Sequence, residues 1–263
     1  MDLVRPPAVA GYFYPQEGRA LEQEVARLLG EAASPPGPRI RGLLLPHAGY
    51  RYSGRVAAKG FAALLPWRGR ARRAILLGPS HFLAFRGVAF YPYRAWATPL
   101  GEVAVDLEGG RRLLRLGPPF REYQEPFQEE HSLEVLLPFL QAVLPHTPIL
   151  PLLFGEVDPG EAARGLLETL GPEDLVLASS DLSHYHPDPM ARTLDAKTLE
   201  RALALDAQGV AGAEACGRLP WATLTLLARA QGWRAQLLAY ATSAEASGDA
   251  GRVVGYAAVA YLA

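Results

Sequence analysis

The stretch Leu175-Val176-Leu177-Ala178-Ser179-Ser180-Asp181-Leu182-Ser183-His184 changes character part-way along. Its first four residues are apolar, too few for a good helix and suited to a strand buried on both faces. Hydroxyls, a carboxylate and an imidazole follow. Three other apolar runs make the same change. Ile40 to Leu45 is stopped by Pro46 and leads into His47-Ala48-Gly49-Tyr50. Ala74 to Leu77 leads into Gly78-Pro79-Ser80-His81, and Ala235 to Ala241 into Thr242-Ser243-Ala244-Glu245.

Helical patterns lie between these runs. Residues 17–33 place Leu21, Val25, Leu28 and Leu29 on one face, and Ser34-Pro35-Pro36-Gly37-Pro38 then reads as a surface loop. Residues 53–65 read as a helix with Ser53 as its N-cap. Residues 86–105 read as irregular β structure broken by Pro92 and Pro99, and 129–143 as a helix bent at Pro138. Helices are expected at 159–170, 190–206 and 220–231, and strands at Ile149–Phe154 and Val253–Leu262. Alternating strands and helices predict an α/β fold, a mostly parallel central sheet flanked by helices, as one domain over residues 1–263.

In such sheets ligands bind beyond the carboxyl ends of the strands. If the four strands run parallel, His47, His81, His184 and Asp181 share one cleft. A single histidine after a strand is usually a loop residue bonded to backbone. Three in the same topological position point to a shared, metal-capable pocket, because neutral imidazole is the commonest transition-metal ligand near pH 7. A histidine left off the metal can move a substrate proton, and Asp181 could orient His184 or accept its ring proton. Tyr50, Ser80 and Ser243 are expected to line the same pocket. His131 and Glu134 lie three apart on one helical face, where they either line the pocket or cap the helix. His186 reads as solvent-facing and His146 as part of a surface turn. Tyr12, Phe13 and Tyr14 pack in the core or form a pocket wall. Cys216 reads as buried and inert.

Composition excludes several classes. With 49% hydrophobic and 20% charged residues the chain can fold, and 26 basic against 27 acidic residues leave no field for nucleic acid or an anionic membrane. The cluster Arg68, Arg70, Arg72 and Arg73 lacks interleaved aromatics and reads as a solvated loop. One cysteine rules out an intrachain disulfide and a cysteine-cluster metal site. The absence of a signal core and of a membrane-length apolar run gives the expectation of a cytoplasmic protein with neither membrane nor nucleic acid as partner. Walker, G-x-G-x-x-G, G-x-S-x-G and H-E-x-x-H motifs are missing, which argues against NTPases, dinucleotide enzymes, ordinary esterases and zincins.

A set of segments along the chain resembles one family. They are Arg5 with Val9-Ala10-Gly11-Tyr12-Phe13-Tyr14-Pro15, Pro46-His47-Ala48-Gly49-Tyr50 with Tyr52-Ser53-Gly54, and Leu77-Gly78-Pro79-Ser80-His81. Glu130-His131-Ser132-Leu133-Glu134 with Leu137-Pro138-Phe139, Ser179-Ser180-Asp181-Leu182-Ser183-His184, Ala215-Cys216-Gly217, and Ser247-Gly248-Asp249 with Val253-Val254-Gly255-Tyr256 follow in order. In these the chain resembles the Memo family, also called AmmeMemoRadiSam system protein B.

The resemblance implies a fold similar to the class III, LigB-type extradiol dioxygenases, in which two histidines and an acidic residue hold Fe(II) beside an acid/base histidine. By position it implies His47 and His81 as metal ligands and His184 as the acid/base, with Asp181 in the same stretch. The third ligand belongs to the loop near the C-terminal strands, a glutamate in dioxygenases and a cysteine associated with copper or iron in animal Memo proteins. This chain has no cysteine there; among Ser243, Glu245 and Asp249, Glu245 is the candidate. The expected cofactor is therefore iron or copper, with a metal-free protein as the alternative.

Three functions follow as expectations. One is a metal-dependent oxidoreductase of extradiol-dioxygenase type. Another is a non-catalytic component that binds a small molecule or peptide alongside a radical S-adenosylmethionine protein and a second companion protein. The last is a metal-dependent hydrolase.

Overall fold

The computed structural model describes residues 3–32 and 39–263, so the Ser34–Pro38 break lies outside the described residues. In chain order the strands are β1 (Val4–Arg5), β2 (Ile40–Leu45), β3 (Arg73–Pro79), β4 (Val88–Phe90), β5 (Ala95–Thr98) and β6 (Gly101–Ala104). β7 (Phe120–Glu122), β8 (Ile149–Phe154), β9 (Asp174–Ser179), β10 (His184–His186), β11 (Arg234–Thr242) and β12 (Val253–Leu262) complete them. The helices are α1 (Gly18–Glu31), α2 (Tyr50–Ala62), α3 (Leu107–Leu116), α4 (Leu137–Val143) and α5 (Pro159–Leu167). α6 (Asp188–Leu203), α7 (Ala207–Ala211), α8 (Arg218–Ala230) and the single turn α9 (Ala244–Ser247) follow.

The main sheet has the order β10-β12-β2-β9-β3-β8-β4-β7, with β11 also paired to β12. Its centre, β2-β9-β3-β8, is parallel throughout. Every residue of these four strands is buried, because helices cover both faces, which is why they read as continuous apolar runs rather than alternating ones. The expected α/β architecture therefore holds, with antiparallel pairing confined to the margins: β12 against β2, β10 and β11, and β4 against β8. β11 is antiparallel to β12, which is antiparallel to β2, so β11 runs in the direction of β2. The polar ends of β2, β3, β9 and β11 thus emerge at the same edge.

Local chemistry sets the helix ends. Asp106, Asp158 and Asp206 cap α3, α5 and α7 by accepting a backbone N–H, and Glu17 does the same for α1. Two expected boundaries are corrected. Helix α2 begins at Tyr50, and Ser53 lies inside it; the Ser53 hydroxyl donates back to Ala48 O, 2.8 Å away, instead of capping. Residues 129–143 do not form one bent helix. A 3₁₀ turn at Glu134–Leu136 leads into α4, where Pro138 sits in the first turn, a position that needs no N–H. Helix α3 went unread because Gly109 and Gly110 lower its propensity.

At the opposite edge, where the parallel strands begin, Asp174 is fully buried and binds Arg72 at 2.8 and 2.7 Å and Arg73 at 3.1 and 3.0 Å. Arg73 also reaches Asp106 at 2.6 Å. Among the described residues, no helix is long and apolar enough to cross a membrane.

Candidate metal centre

His47 follows β2 and is buried. Its ring Nδ1 lies 2.7 Å from the Ser179 hydroxyl at the end of neighbouring β9. That hydroxyl donates its only proton to Ser132 O at 2.6 Å, so it must accept from His47. Nδ1 therefore carries the proton and Nε2 keeps a lone pair. Burial pushes His47 well below the usual histidine range, and the charges of His81 and His131 add to this.

His81 follows β3 and is partly buried. Its Nδ1 is 2.9 Å from Glu130 Oε1, and its backbone N–H donates to Oε2 at 2.5 Å. Glu130 also accepts from the backbone of His131 and Ser132 at 2.9 and 2.8 Å. Burial opposes ionisation of Glu130, but the bonds and charge of His81 outweigh it and bring the carboxyl down to about 2. Burial alone would lower His81; its bond to Glu130 and that group's charge raise it instead. Glu130 thus fixes the Nδ1–H tautomer and turns Nε2 of His81 outward, as a carboxylate does behind a metal-bound histidine.

His131 comes from the loop before the 3₁₀ turn. Gly78 lets that loop approach β3: a Cβ there would meet Leu133 Cδ2 at 2.6 Å and Ser132 Oγ at 2.8 Å. The His131 ring stacks on His81 with centroids 4.9 Å apart and crosses His47 at 5.6 Å, while Phe13 packs against it at 4.7 Å. His47, His81 and His131 each offer one ligand atom, and all three atoms lie within 4.8 Å of one another. Three imidazoles in that space suit a transition-metal ion.

The remaining expected site residues are not among the three convergent imidazoles. Glu245 is not part of the convergent group; it opens α9, is exposed, and pairs with Arg192 at 3.3 Å, so its charge already has a partner. Asp181, expected to orient His184, instead accepts the backbone N–H of His47 at 2.9 Å. Burial raises Asp181 to about 7 despite that bond. His184, on β10, is partly buried and lowered mainly by burial, with the charge of His81 adding to it. The Ser80 hydroxyl donates to Leu83 O at 2.7 Å, and the Ser243 hydroxyl accepts from Val254 N at 3.1 Å, each closing its own turn. His186 is bound to Glu214 at 2.7 Å.

Glu134 is completely buried and neither caps a helix nor joins the imidazoles. It accepts from Arg5 at 2.7 Å, the Ala8 and Val9 amides at 2.7 and 3.0 Å and the Tyr14 hydroxyl at 2.6 Å, holding the N-terminal segment against the centre. Tyr50 donates to Val135 O at 2.8 Å. It also lines a groove of about 840 Å³ with Tyr12, Arg51, Arg55 and Glu245, beside the imidazoles but not including them.

The sequence model described as Memo, Memo-like protein, matches residues 5–260. The chain belongs to the Memo family. A MEMO1 family protein of Ignicoccus hospitalis is 36% identical, with 98% of this chain and 99% of that protein covered. A MEMO1 family protein of Methanopyrus kandleri is 35% identical, with 98% of each chain covered. Among solved structures, an uncharacterized protein from Escherichia coli K12 superposes with a TM-score of 0.50 at 16% identity, over 84% of this Memo-family chain and 99% of the other. That likeness concerns the fold alone.

Sequence reasoning missed Glu130 and Ser179 as the residues that set the imidazole tautomers. The adjacency Glu130-His131 and the polar end of β9 were the available signals.

Proposed function

We propose that this Memo-family chain is a metal-dependent oxidoreductase of the extradiol-dioxygenase type, with His47, His81 and His131 as the residues that would hold an iron or copper ion. The observation that carries the reading is the convergence of three imidazole ligand atoms within 4.8 Å, two of the rings having Nδ1 held by Ser179 and Glu130. Iron or copper, when bound, supplies a Lewis acid and a one-electron centre. The chain supplies the proton inventory: Asp181, raised to about 7, and His184, lowered by burial, are the groups suited to take a proton from a phenolic or enolic substrate near neutral pH. Phe13 and Phe82 pack their rings on His131, with centroids 4.7 and 6.0 Å away.

The test is bound-metal analysis of the purified protein together with oxygen uptake on a panel of catechols. Turnover that disappears in His47→Ala is the expected result. Protein that takes up neither Fe(II) nor copper and consumes no oxygen overturns the reading. A second reading, a metal-dependent hydrolase, is favoured by the all-imidazole donor set, which matches three-histidine zinc sites with water as the fourth ligand. Zinc-loaded protein assayed on ester and amide substrates decides between them.

A further inference from the structure

The main sheet finishes its two sides differently. On one side β7 is three residues long, follows Pro118-Pro119 and exposes Arg121 and Glu122, the short, charged form that keeps an edge from pairing. On the other side β11 is nine residues long and carries no charge after Arg234. Among the described residues it pairs with β12 alone, so its outer edge is open. Its register against β12 skips Leu238, which puts Leu237 and Tyr240 on one face. These two line a groove of about 430 Å³ whose other wall is α6. Leu203 of α6 and Leu237 are each 38% exposed there.

The outward side of α6 says what covers this groove. Pro189, Arg192, Ala196, Glu200 and Leu203 are all exposed and recur every three or four residues, so they form one stripe along the helix. The stripe is its own complement. Laid antiparallel against a second copy about Ala196, it sets Arg192 opposite the other copy's Glu200 and Pro189 opposite the other copy's Leu203, and the same pairs recur in reverse. Arg192 binds Asp188 through Nε at 2.7 Å and Glu245 through Nη2 at 3.3 Å, which leaves Nη1 without a bond among the described residues. Glu200 makes no ion pair among them. Alanine at the crossing point lets two helices approach to the usual separation of about 8–10 Å.

We propose that two copies of this chain join across the α6–β11 margin, their α6 helices antiparallel about Ala196 and the outer edges of β11 facing each other across the same two-fold axis. One axis serves both elements. Arg192 lies over the Tyr240 ring at 5.8 Å and reaches Thr242 at 3.5 Å, and Tyr240 donates to Asp195 at 2.7 Å. The first half of α6 therefore covers the second half of β11, and Ala196 falls near the middle of the strand. Such a contact is isologous and closes at two copies. It covers Leu203 and Leu237 and adds a symmetric pair of Arg192–Glu200 bridges. A foreign peptide would need only the open edge of β11; the reversed order of charge along α6 fits the chain itself. The interface does not involve the imidazoles, so it stands apart from the metal-centre reading.

The test is sedimentation velocity of the full-length protein from low to high micromolar concentration. A species of twice the 28.4 kDa chain mass is expected. Arg192→Glu and Glu200→Arg, each alone, set like charges opposite each other at two symmetric places and should weaken association by about tenfold or more. Mixed in equal amounts, the two variants give every reversed charge a reversed partner, so they should associate with each other at close to the wild-type affinity. Recovery in the mixture cannot come from a variant that fails to fold. A wild-type chain that stays single at high micromolar concentration, an assembly larger than two, or a mixture that associates no better than its components overturns the proposal.

Discussion

Glu130 accepts four N–H groups: the backbone amides of His81, His131 and Ser132 and the ring of His81. It therefore aligns two of the three imidazoles at once, although it touches no ligand position itself. Glu130→Gln keeps the shape but has a single acceptor oxygen and no charge. The variant should bind Co(II) or Zn(II) about 10–100-fold more weakly than the wild type, as titration would show, because His81 loses the partner that fixes its tautomer. Equal affinities would deny Glu130 this role. At this scale the sequence was informative only where chemistry changes abruptly. His47, His81 and His184 stand out because each follows a buried strand. His131 did not separate from a helix-capping residue, since His-x-x-Glu fits both, and the contacts that decide its place come from Gly78, far away in the chain. Cys216 read as inert because nothing in Ala215-Cys216-Gly217 shows that His47 lies 169 positions away in sequence and 3.3 Å away in space.

The segment from β1 to Tyr14 has little regular structure, and one carboxylate holds it. Arg5 and Glu134 are 1% and 0% exposed, and the Arg5 guanidinium also reaches Phe127 O and Glu130 O. Glu134→Ala removes four bonds and leaves a buried guanidinium without its counter-charge. The cost should be about 3–5 kcal/mol, or a fall in melting temperature of about 10 °C for a chain of this size. Hydrogen exchange at the Ala8 and Val9 amides should quicken beyond that global loss, because their acceptor has gone. Unchanged protection would show that other contacts hold the segment. The strand and helix runs themselves were largely legible, since burial on both faces writes itself as unbroken apolar sequence. Irregular parts were not: the 3₁₀ turn, Pro138 in the first turn of α4 and the two-residue β1 depend on partners that no local pattern reveals.

Across the whole molecule the parallel strands separate two tasks. Their carboxyl ends carry the imidazoles, and their amino ends carry the Arg72–Arg73–Asp174–Asp106 network. Burial works against ionised Asp174, yet the Arg72 bond, the Gly171 amide and Arg73 bring its carboxyl below the usual value of 3.8. A carboxyl lowered on folding contributes stability above its unfolded value and loses it as pH falls through the folded one. Asp174→Asn should therefore cost about 3 kcal/mol at pH 7 and flatten the loss of stability below pH 3.8. Cobalt affinity should stay within about twofold, since distant sites act independently. Urea midpoints across pH, with cobalt titration alongside, check both; an equal fall in stability and affinity would mean that the two edges are coupled.

The order of the sheet has a consequence for the chain as it is made. β2 is among the first strands to be synthesised, yet one of its edges is closed by β9 and the other by β12, which ends at Leu262. Until Val253–Leu262 has been made, that side of Ile40–Leu45 presents a bare row of amides and carbonyls flanked by apolar side chains. An open edge of that kind recruits strands from other molecules. Copies lacking β12 would be templates for aggregation through that open edge of β2.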